Sequence, residues 1–107
     1  MDWKVIDLQE PAGPGGDAPR AYREILRVPS MSAGVYELRA RCIDGQSPHR
    51  EDELYFVLRG EATFTASGQR RKVKTGSLIY VRAGVEHRFE EIEEDLRLLV
   101  VFSPPES

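Results

Sequence analysis

Apolar and polar residues alternate along most of the chain with a period close to two. The clearest case is one side of an extended segment, which carries Tyr36, Leu38, Ala40 and Cys42 with charged residues between them. Successive side chains of a strand point to opposite faces, so this pattern is typical of a strand with one buried face. Residues 54–58 are apolar throughout and rich in strand-forming types, which predicts a strand in the middle of a sheet.

Short runs of turn-forming residues separate the predicted strands. Ser67-Gly68-Gln69 predicts a hairpin, and the pairs ending in Gly76 and Gly84 predict two further turns. Strands are predicted on both sides of these turns, over residues 3–8, 54–58, 62–66, 71–74, 78–82, 87–92 and 96–103, besides those between 22 and 42. This gives about eight or nine short strands, which is typical of a β-sandwich or barrel.

Residues 18–28 are the one segment with a competing helical interpretation. Pro19 would suit the first turn of a helix, but Tyr22, Glu24 and Leu26 do not form an apolar helical stripe. A strand is therefore favoured over a helix in this segment.

The length of the chain predicts one domain, since 107 residues allow a single hydrophobic core. We expect residues 1–20 to form an N-terminal arm with a loop rich in proline and glycine, and residues 21–103 to form the body of the domain. The hydrophobic share of 40% and the charged share of 31% are ordinary for a globular protein.

Charge and composition exclude several classes of partner. The chain has 15 Lys and Arg residues against 18 Asp and Glu residues, and a net charge of −3 argues against binding nucleic acid. The most apolar stretch, residues 96–102, has the length of a buried strand and not of a membrane span. The N-terminal residues lack the apolar region of a secretory signal, and the single Cys42 permits no intramolecular disulfide. A cytoplasmic location is therefore expected.

The residues best suited to chemistry are His49, Glu53 and His87, each next to a turn signal. If residues 50–52 form a tight hairpin, His49 ends one strand and Glu53 begins its antiparallel neighbour, with both side chains on one face. His87 then begins another strand. Two imidazoles and a carboxylate with open positions suit a divalent ion such as Fe, Mn, Ni or Zn. For such a site, we expect the three ligand atoms to lie within about 4 Å of one another. The alternative is a pair of hydrogen-bonded core histidines without metal, in a pocket that has lost its ion.

The first of these stretches resembles the first motif of the cupin superfamily. That motif runs His-x-His, three or four residues, Glu, six residues, Gly. His49, Glu53 and Gly60 match its second His, its Glu and its Gly. Ser47 stands where the motif has its first His, and Glu51 is a candidate substitute ligand, although the spacing places it in the turn.

The second stretch resembles the second cupin motif, which runs Gly, five residues, Pro-x-Gly, two residues, His, three residues, Asn. Gly76, Gly84 and His87 match at the motif spacing, whereas Arg82 replaces the Pro and Glu91 replaces the Asn. The resemblance spans roughly residues 35 to 102. It implies an all-β double-stranded β-helix, or jelly-roll barrel, with the metal inside. It also implies a ligand set of His49, Glu53 and His87 in place of the family's usual three His and one Glu.

Two functions of different classes fit this resemblance. The first is a mononuclear metal site that binds a small oxygen-bearing molecule and supports its oxidation, isomerisation or decarboxylation. The second is a binding or sensing module without turnover. An enzyme needs a general acid or base near the metal, for which Glu51 and Tyr55 are the only candidates in the sequence. Small cupins are often dimers, and we expect a homodimer in which the N-terminal arm pairs with a neighbour's sheet edge.

Overall fold

A computed structural model of the chain describes residues 2–8, 18–45 and 48–107. These residues contain six β-strands and no helix, which confirms the predicted all-β class and the strand in the disputed segment. The strands are β1 (Arg20–Val28), β2 (Met31–Leu38), β3 (Asp52–Ala66), β4 (Gln69–Lys74), β5 (Leu78–Val81) and β6 (His87–Ser103). A helix with the length and apolar character of a membrane span does not occur in the described ranges.

The six strands form one antiparallel sheet, in which the order of neighbours is β1-β2-β6-β3-β4. The long strands β3 and β6 pair with each other over most of their length. The first part of β3 also pairs with β5, from Glu53 opposite Val81 to Phe56 opposite Leu78. Its second part pairs with β4 instead. Strand β3 therefore connects the two parts of the sheet, and its first residues lie between β5 and β6.

Strand β3 changes its buried face at Gly60. Before that residue the buried side chains are odd-numbered, as at Glu53 and Tyr55, and after it the buried hydrophobic side chains are even-numbered, as at Ala62 and Phe64. Gly60 has a φ of +105°, and a Cβ at this position would lie 2.6 Å from the backbone oxygen of Asp95. Only glycine fits such a bulge, because it has neither the steric restriction on φ nor the colliding atom.

Strand β6 makes a similar change near Glu91, whose φ of 47° lies in the left-handed region. His87 and Phe89 are buried before it, whereas Leu96 and Leu98 are buried after it. The four short strands predicted within 54–66 and 87–103 are therefore two long bent strands. The predicted count of eight or nine was too high for this reason, because a bulge interrupts the alternation of a sequence much as a turn does.

Three other expectations about the strands were wrong. Residues 3–8 adopt no regular structure, and their Trp3 side chain is exposed. The strand predicted through Cys42 ends at Leu38. Residues 54–58 are not buried on both faces, since Leu54 and Phe56 are exposed. The proline and glycine loop expected at 11–17 lies outside the described residues.

The core lies on the inner face of the curved sheet. Its aromatic part is a set of edge-to-face contacts among Tyr55, Phe64 and Phe89, with ring centroids 5.1–6.2 Å apart. Its aliphatic part consists of fully buried residues from β2, β3 and β6, namely Leu38, Val57, Ile92, Leu96, Leu98 and Val100. Cys42 packs against this core and is partly buried, as expected of an inward-facing thiol. The core therefore packs against the first residues of β3 and β6.

Candidate metal centre

The structure brings His49, Glu53 and His87 together, although Glu53 and His87 stand at opposite ends of the β3–β6 ladder, opposite Phe102 and Ala66. Glu53 is the second residue of β3, and His87 is the first residue of β6. His49 differs from the expected arrangement, because it lies in an irregular segment before β3 and not at the end of a strand. Its backbone is nevertheless anchored, since the Gly84 amide donates a 2.8 Å hydrogen bond to the His49 carbonyl oxygen.

The three side chains meet at Oε1 of Glu53. His87 Nε2 lies 2.9 Å from this oxygen, and both side chains are 1% exposed. His49 Nε2 lies 3.9 Å from the same oxygen, and its side chain is 20% exposed. One atom of each residue can be chosen so that all three lie within 4.8 Å of one another, slightly wider than the expected 4 Å. His49 is thus the most exposed and the least closely placed of the three.

The hydrogen bonds of His87 determine which nitrogen faces Glu53 as an acceptor. Nδ1 lies 2.8 Å from the carbonyl oxygen of Val85, and because a carbonyl only accepts, Nδ1 must carry the hydrogen. In the neutral ring Nε2 therefore presents a lone pair. The Tyr55 hydroxyl, 2.9 Å away, can donate to it. A histidine whose Nδ1–H is held by a backbone carbonyl has the tautomer that ligates a metal through Nε2.

Glu53 is a buried carboxylate without a hydrogen-bond donor among the described residues. Neither Oε1 nor Oε2 has a hydrogen-bond partner there, and the 2.9 Å approach of His87 Nε2 is an ion-pair distance without hydrogen-bond direction. Burial alone would lower the pKa of His87, but its contacts with Glu53 and with the Val85 carbonyl outweigh that effect and raise the pKa. The site therefore favours a positive charge next to Glu53, which either a proton on His87 or a bound cation supplies.

The other nitrogen of His49 faces a carboxylate that the sequence did not indicate. His49 Nδ1 lies 3.3 Å from Oε2 of Glu106, in the segment after β6. The His49 ring also packs on Phe102, with ring centroids 4.9 Å apart. Burial raises the pKa of Glu106, as do the nearby carboxylates Glu51 and Glu53, whereas His49 lowers it. No motif marks Glu106, because it follows two prolines beyond the last predicted strand.

Glu51 lies in a bend just before β3, close to its predicted position in a turn. Its side chain is buried, and its Oε2 accepts hydrogen bonds from the backbone and hydroxyl of Ser107, at 3.2 and 3.0 Å. Glu51 is not part of the three-residue cluster and is engaged in holding the segment after β6. Ser47, at the position of the missing motif histidine, lies outside the described residues.

A cavity of about 370 Å³ adjoins the cluster on the side of His49. Its walls are largely aromatic and are formed by Tyr22, Tyr36, Tyr55 and Phe102. Arg20, His49 and Glu106 add charged or ionisable groups. Burial raises the pKa of Tyr22 to about 12, and the charge of Glu106 acts in the same direction. The cavity therefore has the size and mixed lining of a small-molecule site.

Three known proteins show what this chain is similar to. An uncharacterized protein of Streptomyces coelicolor is 53% identical over 87 residues, which cover 81% of this chain and 83% of that protein. An acireductone dioxygenase of Aspergillus fumigatus is 31% identical over 78 residues, which cover 65% of this chain and 44% of the dioxygenase. The chain thus spans less than half the length of that enzyme.

The third is a solved structure, an RmlC-like cupin family protein with a double-stranded β-helix fold from Methanocaldococcus jannaschii. It superposes with a TM-score of 0.75 at 20% identity, and the match covers 97% of this chain and 93% of that one. This likeness confirms the predicted double-stranded β-helix. A family model described as the cupin domain matches residues 35–102, well over half of the chain. The chain therefore belongs to the cupin domain family.

Proposed function

We propose that this cupin binds a divalent metal ion through His49, Glu53 and His87 and receives a small oxygen-bearing molecule in the adjoining cavity. The observation that carries the proposal is Glu53, whose two carboxylate oxygens are buried and have no hydrogen-bond donor among the described residues. An ionised carboxylate in such a place is costly unless a cation balances it. Two histidine nitrogens within 4 Å of Oε1 make a metal ion a fitting cation.

The donor set limits the identity of the ion. Imidazole nitrogen with one carboxylate suits Fe(II), Mn(II), Ni(II) and Zn(II), whereas Ca²⁺ and Mg²⁺ prefer sites built from oxygen alone. Three protein ligands leave further positions for water or for a bound molecule. A metal ion of this kind polarises a bound oxygen atom as a Lewis acid and, if it is iron, also supports chemistry with O₂.

The residues of the chain would orient the bound molecule and handle its protons. Tyr55 lines the cavity, and its hydroxyl lies 2.9 Å from His87 Nε2, so it is placed to donate a hydrogen bond at the metal end. Tyr22 and Phe102 provide flat apolar walls that exclude water from a small planar compound. Arg20, also in the lining, offers a positive charge that favours an anionic molecule.

Among oxidation, isomerisation and decarboxylation, the sequence similarity favours oxidation with O₂. The Aspergillus relative is named as a dioxygenase, and its matching region includes most of this chain. A non-catalytic binding module would use the same cavity without turnover. Oxygen consumption by the iron-loaded protein with a panel of small enediols and hydroxy acids separates the two functions, because only an enzyme consumes oxygen in multiple turnovers.

A divalent-metal panel tests the metal site directly. The tag-free protein is treated with a chelator, and its melting temperature is measured with and without excess Mn²⁺, Ni²⁺, Zn²⁺ and, under anaerobic conditions, Fe²⁺. Metal at 100 times its Kd stabilises a folded protein by about 2.7 kcal/mol, which raises the melting temperature of a small domain by ~10 °C or more. The rise should disappear in His49→Ala, His87→Ala and Glu53→Gln. It should persist in Glu94→Ala, a matched change of an exposed carboxylate on β6. A flat response of the wild-type protein to all four ions would overturn the proposal.

A further inference from the structure

The segment that follows β6 is fastened to the barrel beside the metal centre. Arg27 donates a 2.7 Å hydrogen bond to the backbone oxygen of Glu106, and the amide of Glu106 donates one of 2.9 Å to the Ser32 hydroxyl. The next residue, Ser107, donates from its amide and its hydroxyl to Glu51. These contacts fix the backbone at Glu106, from which its side chain reaches His49.

The carboxylate of Glu106 lies next to His49, the one proposed ligand that is not held by a strand. Glu53 and His87 project from paired strands, and Val85 holds the ring of His87. His49 comes from an irregular segment, and rotation of its ring would exchange the positions of its nitrogen and carbon atoms. With Nδ1 at 3.3 Å from Glu106, the ring presents Nε2 toward Glu53.

We propose that Glu106 is a positioning residue of this centre, whose carboxylate holds the Nδ1–H of His49 so that Nε2 faces Glu53. In the neutral ring a hydrogen on Nδ1 leaves the lone pair on Nε2, which is the form that can ligate. Glu106 thus does for His49 what the Val85 carbonyl does for His87. It lies beyond the residues matched by the cupin domain model, so the barrel alone does not supply it.

The effect on metal binding rests on the proposed function, but the effect on the ring of His49 does not. Carboxylates that orient ligating histidines usually contribute a factor of 10–100 to metal affinity. Glu106→Ala removes both the charge and the acceptor. Glu106→Gln keeps an oxygen that accepts from Nδ1–H and should therefore preserve the tautomer while losing part of the affinity.

Nitrogen NMR of the metal-free protein tests the positioning, and assignment of the imidazole signals is simple because the chain has two histidines. At about pH 8.5, where ordinary histidines are neutral, we expect His49 in the wild-type protein and in Glu106→Gln to carry its hydrogen on Nδ1. In Glu106→Ala it should become a mixture of tautomers, while His87, held by Val85, stays unchanged. Glu94→Ala serves as the control. An unchanged His49 tautomer in Glu106→Ala would overturn the proposal.

Titration with Zn²⁺ by calorimetry then measures the consequence. We expect affinity about 10–100-fold weaker in Glu106→Ala, a smaller loss in Glu106→Gln and none in Glu94→Ala. Affinity in Glu106→Ala equal to that of the wild-type protein would also count against Glu106. If the wild-type protein binds no metal, the proposed function fails, and the tautomer of His49 alone decides on the role of Glu106.

Discussion

Glu53→Gln should change the stability of the metal-free protein in opposite directions at high and at low pH. At high pH His87 is neutral, and its Nε2 lone pair faces the Glu53 carboxylate at 2.9 Å, so two acceptors meet in a buried place. An amide at this position would remove a buried charge, while the Tyr55 hydroxyl continues to donate to Nε2. The variant should therefore be more stable than the wild-type protein above the pKa of His87.

The size of the gain follows from the burial of Glu53. Its side chain is 1% exposed, and both oxygens lack a hydrogen-bond donor among the described residues. A buried unsatisfied polar group costs about 1–3 kcal/mol, and a charged one costs more. We therefore expect Glu53→Gln to raise the free energy of unfolding by ~1–3 kcal/mol at high pH, or the melting temperature by about 4–8 °C for each kcal/mol.

At low pH the sign reverses, because protonated His87 and Glu53 form an ion pair. The pKa of His87 is raised above 6.5 in the folded protein, so the pair contributes fully below pH 6.5. That contribution disappears as the pH rises through the folded-state pKa. Below pH 6.5 Glu53→Gln loses the pair and leaves a buried imidazolium without a counter-charge, so it should be less stable than the wild-type protein.

Urea unfolding of both proteins in the presence of a chelator, across the range from about pH 5.5 to 8.5, measures the difference directly. Glu94→Gln, on the exposed side of β6, should show no crossover. A variant that is destabilised by a constant amount across this range would refute the reasoning. Glu53 would then be a structural hydrogen-bonding residue, and not a carboxylate held ready for a cation.

Three further outcomes are expected. Gly60→Ala should destabilise the protein by ~3 kcal/mol or more in urea unfolding. The reason is that the φ of Gly60 is +105° and that the added Cβ would lie 2.6 Å from a backbone oxygen. A loss of stability below about 1 kcal/mol would contradict the bulge. Metal affinity should fall as the pH drops below the raised pKa of His87, because protons compete with the metal for Nε2. Calorimetry that shows no such fall would exclude His87 as a ligand. Light scattering should give a homodimer of twice 12.1 kDa, and the monomer mass at high concentration would contradict this expectation.

The three residues that meet in the structure could be predicted from sequence because local signals position each of them. Glu53 and His87 stand at strand starts next to turns, and a strand that begins at a known residue determines which face its side chains take. His49 lies near Glu53, but not by the route that the sequence predicted. It lies in an irregular segment and reaches Glu53 through the path of that segment, without the expected cross-strand pairing.

The bends of the long strands could not be predicted from alternation alone. At Gly60 and at Glu91 the buried face changes while pairing continues, so the pattern is interrupted although the strand is not. Distinguishing a bulge from a turn requires knowledge of the partner strand. The close approach of Gly60 to Asp95 exists only after β3 and β6 have paired.

The sequence did not indicate Glu106, because its approach to His49 likewise exists only in the folded chain. Glu53 and His87 are placed by their strands, whereas Glu106, which we propose orients His49, comes from a segment that meets the site only in the folded chain. Glu53 and His87 form a buried pair at 2.9 Å, and His49 is a more exposed third group at 3.9 Å that lines the cavity. A molecule that enters the cavity therefore contacts His49 and Glu106 before it reaches the buried pair. Substitutions at Glu106 should accordingly alter the entry of a ligand and the proposed metal contact of His49 together, while the pair of Glu53 and His87 stays intact.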